Sequence, residues 1–160
     1  LAAIYSQIYI QVILAVEGRA NHIQRTWENG LYKYIEGFVA NRNQKILAVN
    51  GTRDHIHLLL CISPTTALID LVRDIKLASA RFVNQNQWLA NSKFVWQDGF
   101  GAFSYARSQL ESVVKYINNQ EQIHKKMTFQ AEYLFLLKKF EIDYIEADLF
   151  TWIEKETDVE

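Results

Sequence analysis

Two short runs, Lys45 to Thr52 (KILAVNGT) and His55 to Ile62 (HIHLLLCI), meet across Gly51-Thr52-Arg53-Asp54, and this junction constrains the fold more than any other stretch. The flanks are β-branched and apolar and the junction is made of turn formers, so an antiparallel hairpin is expected. Amphipathic helices are expected on both sides of it. Thr26 to Arg42 spaces Trp27, Leu31, Tyr34, Ile35, Phe38 and Val39 helically, with Gly30 and Gly37 weakening it. Beyond Pro64, Thr65 or Thr66 can cap a helix running to about Asn86, with Leu68, Leu71, Val72, Ile75, Ala78 and Phe82 as its stripe and Ser79 on the same face.

The remaining segments complete the order. Ile4 to Val16 reads as a long, largely buried strand stopped by Gly18. Lys93 to Trp96 is a short strand candidate, and Gly99 to Tyr105 reads as a loop. Ser108 can cap a helix from Gln109 to about Lys125, and Phe129 to Phe140 carries a last helical pattern. Strand, helix, strand, strand, helix, strand predicts an α+β fold: a ferredoxin-like or RRM-like split βαβ, with helices on one face of an antiparallel sheet plus a C-terminal tyrosine-bearing helix. Such a scaffold hosts many functions and decides none. Residues 1–140 are expected to form this domain, and residues 141–160 an acidic tail.

Charge is segregated between the two parts. The chain holds 17 Lys and Arg against 18 Asp and Glu, a net −1. Residues 141–160 take eight of the carboxylates and only Lys155, which leaves 16 basic and 10 acidic side chains in residues 1–140, a balance of +6. A basic body with an acidic end suits a polyanionic partner, and equally an ordinary solvated surface. The single cysteine, Cys61, excludes an internal disulfide and reads as a small core residue. No signal-peptide pattern and no bilayer-length apolar run stands in the sequence, so a cytoplasmic setting is expected.

Two features carry chemistry. On a strand, His55 and His57 project to one face while Ile56 projects to the other, so the two imidazoles are placed to chelate a metal. Such a pair alone also arises by chance. On the third helix, Leu110, Val113, Val114 and Ile117 form the core stripe and Tyr116 lies on its margin, about 110° from the centre. Gln120 follows one turn later on the same flank. Taken alone, these two read equally as a boundary residue and a solvated amide. Asp54 can orient an imidazole or simply form the turn, and His22 and His124 read as surface residues.

Taken jointly, these residues resemble the single-tyrosine HUH transposases of the insertion-sequence-200/605 type. The resemblance covers most of the chain: YSQIYIQVILAV, NGTRDHIHLLL, LVRDIKLASARFVN, WQDGFGAFSY and VVKYINNQEQIHKKMTFQAEYLFLLKKF. It implies that His55 and His57 are metal ligands, Gln120 a third ligand and Tyr116 the nucleophile. It further implies one divalent ion, Mg²⁺ or Mn²⁺, per site, and cleavage and rejoining of single-stranded DNA at hairpin-bearing element ends through a 5′-phosphotyrosine. A homodimer sharing active sites between subunits, in the bacterial cytoplasm at the nucleoid, is also implied. Arg73, Lys76, Arg81, Arg107, Lys115, Lys125 and Lys126 are candidate phosphate contacts. The alternatives are a replication or conjugation initiator of the HUH class, a domesticated nuclease acting on dispersed palindromes, and a ferredoxin-like nucleic-acid-binding module without catalysis.

Overall fold

The computed structural model describes residues 2–149. Strands β1 (Tyr9–Ala15), β2 (Lys45–Gly51), β3 (His55–Cys61) and β4 (Gly101–Tyr105) form one antiparallel sheet in the order β2-β3-β1-β4. Helix α1 (Glu28–Asn41) links β1 to β2 and α2 (Leu68–Gln85) links β3 to β4, the split βαβ arrangement. The expected hairpin forms, with Gly51 opposite Ile56. A side chain at Gly51 has no room, since a Cβ there would lie 2.1 Å from the His55 carbonyl oxygen.

The alternation of β1 and β3 explains the layers. Val12, Leu14 and Val16, with Ile56, Leu58 and Leu60, face α1 and α2. Leu31, Ile35 and Val39 of α1 and Leu71, Val72, Ile75 and Val83 of α2 close over them. Each fully buried Leu or Ile side chain there contributes about 1.5–3 kcal/mol. The opposite face is covered by α3 (Leu110–Asn118), α4 (Gln120–Ile123) and α5 (Phe129–Lys139). Ala48 and Leu59 meet Val113 and Ile117 of α3, while Ile13, Ala15 and Phe103 meet Phe129, Tyr133, Leu136 and Leu137 of α5. Of the expected α1 stripe, Tyr34 is only half-buried and stacks on Phe82, and Tyr32 takes the buried place.

Three local expectations are corrected. The fourth strand is Gly101–Tyr105, not Lys93–Trp96, of which only Trp96 bridges to Val16. Gly99 and Gly101 look loop-like in sequence, but Gly101 lies under the Tyr133 ring, where a Cβ would come within 2.9 Å. β1 starts at Tyr9 rather than Ile4, because β3 and β4 end opposite Tyr9, at Cys61 and Tyr105, and residues before it have no strand to pair with. The third helix does not run on to Lys125. It stops at Asn118, where the Asn50 amide donates to the carbonyls of Ile117 (3.1 Å) and Asn118 (3.2 Å), and α4 begins after Asn119. Of the acidic segment expected at 141–160, residues 150–160 lie outside the described residues. Among the described residues, no helix is long and apolar enough to cross a membrane.

Candidate active site

β3 brings His55 and His57 to the face covered by α3–α5, both fully buried, while Ile56 joins the core on the other side. Each ring is held by its Nδ1. His55 Nδ1 donates to Asp54 Oδ1 at 2.7 Å, so Asp54 orients the imidazole as well as standing in the turn. Thr52 Oγ1 steadies the same carboxylate at 3.0 Å, and the His55 ring stacks on Phe129 with centroids 3.9 Å apart. His57 Nδ1 lies 2.8 Å from Gln11 Nε2, and Gln11 Oε1 accepts from the Tyr105 hydroxyl at 2.6 Å. Turning over the Gln11 amide exchanges donor and acceptor and keeps both hydrogen bonds, and in the neutral ring it puts the His57 lone pair on Nε2. Gln11, fully buried on β1, is an orienting residue that sequence reasoning missed.

The break at Asn119 determines what the tyrosine segment presents. Tyr116 is the last residue of α3 but two, and its ring meets His57 edge-on with centroids 6.0 Å apart. On a continuous helix Gln120 would share its flank. Instead, α4 turns Gln120 into the interior, where it is fully buried with Oε1 3.1 Å from His55 Nε2. All four residues expected at the site therefore converge within one chain.

Two further groups converge with them. Glu132, fully buried on α5, accepts a hydrogen bond from Tyr116 on Oε2 and another from Gln120 Nε2 at 3.0 Å. Its Oε1 lies 3.1 Å from His57 Nε2 and 3.4 Å from His55 Nε2. His124, expected at the surface, is mostly buried and places Nε2 3.0 Å from the same Oε1. The sequence did carry a signal for Glu132. Phe129, Tyr133, Leu136 and Leu137 form the buried face of α5, and a carboxylate set into such a stripe is retained when it has partners. No comparable signal marks His124, which the α3–α4 break redirects.

The electrostatics follow from burial around one carboxylate. Burial alone would raise the Glu132 pKa, but hydrogen bonds with His124, His55 and His57 hold it well below the usual carboxylate range. Burial works to lower His55, yet the hydrogen bonds to Asp54 and Glu132 outweigh it and leave His55 raised. His57 is lowered, chiefly by burial. Tyr116 is raised far above an ordinary phenol, by burial first and then by the charge of Glu132.

The donor set suits a divalent cation. His55, His57 and Glu132 bring a nitrogen, a nitrogen and an oxygen within 4.8 Å of one another. With Nδ1–H spent on Asp54, neutral His55 turns a lone pair toward Gln120 Oε1, and the Gln120 orientation is fixed by its Nε2–H bond to Glu132. Lone pair faces lone pair there unless a proton or a metal cation lies between them.

The seven candidate phosphate contacts are divided between the two faces. Arg73, Lys76 and Arg81 lie on the α1–α2 side, along a groove of about 840 Å³ with Lys93, Trp96 and Phe100. Arg73 is paired with Asp70 and Asp74, and Lys76 Nζ donates to the carbonyls of Gln97 and Gly99. Arg107, Lys115, Lys125 and Lys126 lie on the segments that carry the site. Lys115 pairs with Glu111 at 3.2 Å and Arg107 Nη1 lies 3.5 Å from the Tyr9 hydroxyl. Cys61 is half-buried at the end of β3.

The split βαβ sheet thus sets a buried histidine pair against a tyrosine on the helix that covers it. Residues 4–120 match the model of the IS200-like transposases, and the chain belongs to that family. It is a DNA transposase. It is 26% identical over 121 residues to the ISDra2 transposase TnpA of Deinococcus radiodurans, a match covering 71% of this chain and 84% of that one. Its fold is similar to the crystal structure of a candidate transposase of Deinococcus radiodurans, with a TM-score of 0.56 and 21% identity over 74% of this chain and 95% of that one. It is also similar to a REP-associated tyrosine transposase bound to a REP hairpin, with a TM-score of 0.58 and 16% identity over 78% and 73% of the two chains.

Proposed function

We propose that this transposase cleaves and rejoins single-stranded DNA beside hairpin ends, with Tyr116 as nucleophile and a divalent ion, Mg²⁺ or Mn²⁺, held by His55, His57 and Gln120. The observation that carries the reading is the convergence of the Tyr116 ring, both His Nε2 atoms and Gln120 Oε1 on one buried point. When bound, the ion supplies positive charge that polarises the scissile phosphate and eases formation of the phenolate. Tyr116 Oη, oriented by its hydrogen bond to Glu132 Oε2, attacks phosphorus as its proton is released to solvent. The P–O3′ bond breaks, the 3′-oxygen takes up a proton, and the DNA 5′-phosphate remains on Tyr116. Because the phosphotyrosine keeps the diester, a 3′-hydroxyl can reverse the step without ATP.

Residues 1–140 are the catalytic domain in this reading, followed by an acidic segment at 141–160. Lys125 and Lys126 lie next to the site and suit the single strand, and Arg107 and Lys115 extend that side. Arg73, Lys76 and Arg81, with Trp96 and Phe100 in the groove, suit the hairpin. The enzyme works as a homodimer at the bacterial nucleoid. The REP-hairpin-bound neighbour favours one variation, a copy acting on dispersed palindromes with the same chemistry; element ends flanking its gene would distinguish the two. The test is incubation of the full chain with hairpin-bearing single-stranded DNA and Mg²⁺ or Mn²⁺, followed by denaturing electrophoresis. A covalent adduct that Tyr116→Phe cannot form is expected. No adduct from wild type, or an adduct that survives in Tyr116→Phe, overturns the reading.

A further inference from the structure

The match to the family ends at Gln120, yet the site does not. His124, just beyond it, is oriented as a ligand is. Its Nδ1 donates to the Met127 carbonyl at 2.9 Å, so in the neutral ring the lone pair stands on Nε2. That lone pair faces two acceptors, Gln120 Oε1 at 3.1 Å and Glu132 Oε1 at 3.0 Å. Both oxygens are already committed in orientation, the amide by Gln120 Nε2–H on Glu132 and the carboxylate by Tyr116 and Gln120 on its other oxygen.

The spacings have a common explanation. Ligand atoms at about 2.1 Å from one metal lie about 3.0–3.4 Å apart in octahedral or tetrahedral geometry. His124, His57 and His55 place their Nε2 atoms 3.0, 3.1 and 3.4 Å from Glu132 Oε1. Resting on the metal reading above, we propose that His124 and Glu132 are ligands of the same ion. The site then has three imidazoles, a carboxylate and the Gln120 amide oxygen, selects ions that accept nitrogen donors, such as Co²⁺, over Mg²⁺, and includes the α4–α5 segment as a working part. The affinity of nitrogen donors rises from Mn²⁺ to Co²⁺, whereas Mg²⁺ prefers oxygen and water.

The test is calorimetric titration of the full metal-free chain with Co²⁺ and with Mg²⁺, without DNA. Wild type is expected to bind Co²⁺ at least a hundredfold more tightly than Mg²⁺, and His124→Ala to lose at least tenfold of the Co²⁺ affinity with its circular dichroism unchanged. If His57→Ala loses Co²⁺ affinity and His124→Ala does not, the His124 assignment falls and the two-histidine reading stands. If neither loses affinity, both fall. Should His124→Ala not fold, Cu²⁺-loaded wild type decides the matter, since its electron paramagnetic resonance spectrum should show coupling to three imidazole nitrogens. Two nitrogens overturn the proposal.

Discussion

The Tyr116 hydroxyl donates to Oε2 of Glu132 while the other oxygen of that carboxylate lies 3.1 Å from His57 Nε2, so one side chain of α5 joins the nucleophile to the histidine pair. Burial raises the Tyr116 pKa first, and this link raises it further, because a buried negative charge beside a phenol opposes its ionisation. Replacing the carboxylate while keeping its shape should release the phenol. In Glu132→Gln without metal, the Tyr116 absorbance change on ionisation is expected at lower pH than in wild type. An unchanged titration would mean that burial alone sets it.

The same carboxylate makes the metal-free fold acid-sensitive. Its folded pKa is held far below the value of about 4.3 for an unfolded glutamate. The sign follows: the unfolded chain binds the proton more readily, so the stabilisation is present above about pH 4.3 and is lost as pH falls toward the folded value. Between about pH 5 and 3, wild type should lose more thermal stability than Glu132→Gln. Parallel melting curves for the two proteins over that range would contradict the assignment.

The hairpin, the first βαβ half, the helix of the second and the histidine face were legible because each rests on a local period or turn. Where the sequence reading failed, tertiary contacts had overridden a local pattern. GFGAFSY looks like a loop until Tyr133, thirty-two residues later, needs the space a side chain at Gly101 would fill. The tyrosine helix looks continuous until Asn50, from β2, takes its last carbonyls. That break turned Gln120 inward and brought in His124, so the completeness of the site was hidden by the same contact. Glu132 alone was readable in principle, as a carboxylate on an apolar helical stripe.

Gly101 supplies a test of that override. A methyl group there meets the Tyr133 ring at 2.9 Å, and overpacking a fitted contact costs about 1–3 kcal/mol. Gly101→Ala should therefore lower the unfolding free energy by that amount in denaturant titration, and Gly101→Ala combined with Tyr133→Leu should recover part of it. Equal stability of wild type and Gly101→Ala would show that β4 and α5 are not in close contact.

Gln120 tests how far an amide acts as a ligand. Its Oε1 lies 3.1 Å from the Nε2 atoms of both His55 and His124. Gln120→Glu should tighten metal binding by adding a charge and slow cleavage by weakening the pull of the metal on the phosphate. Gln120→Ala should weaken metal binding less than loss of His57, because water can take the vacant position. Metal affinity measured with DNA present checks both, and equal affinities for Gln120→Ala and wild type would reduce Gln120 to a support for Glu132.

The arrangement of subunits can be decided by complementation. One chain carries His55, His57, Tyr116, Gln120 and Glu132 to a single point, whereas the family resemblance implies a dimer that shares its tyrosine helices. His57→Ala and Tyr116→Phe each disable a different half of the site, so each homodimer should be inactive. In a mixed dimer with sites built within each chain, both sites remain broken, one lacking its histidine and the other its tyrosine. If the tyrosine segment crosses between subunits, one site receives both intact halves and the other neither, and half the wild-type sites should work. The geometry within one chain predicts that mixing the two variants restores no covalent adduct. Adduct recovery approaching one quarter of wild type, half the sites in the half of dimers that are mixed, would instead establish exchange of the α3 segment between partners.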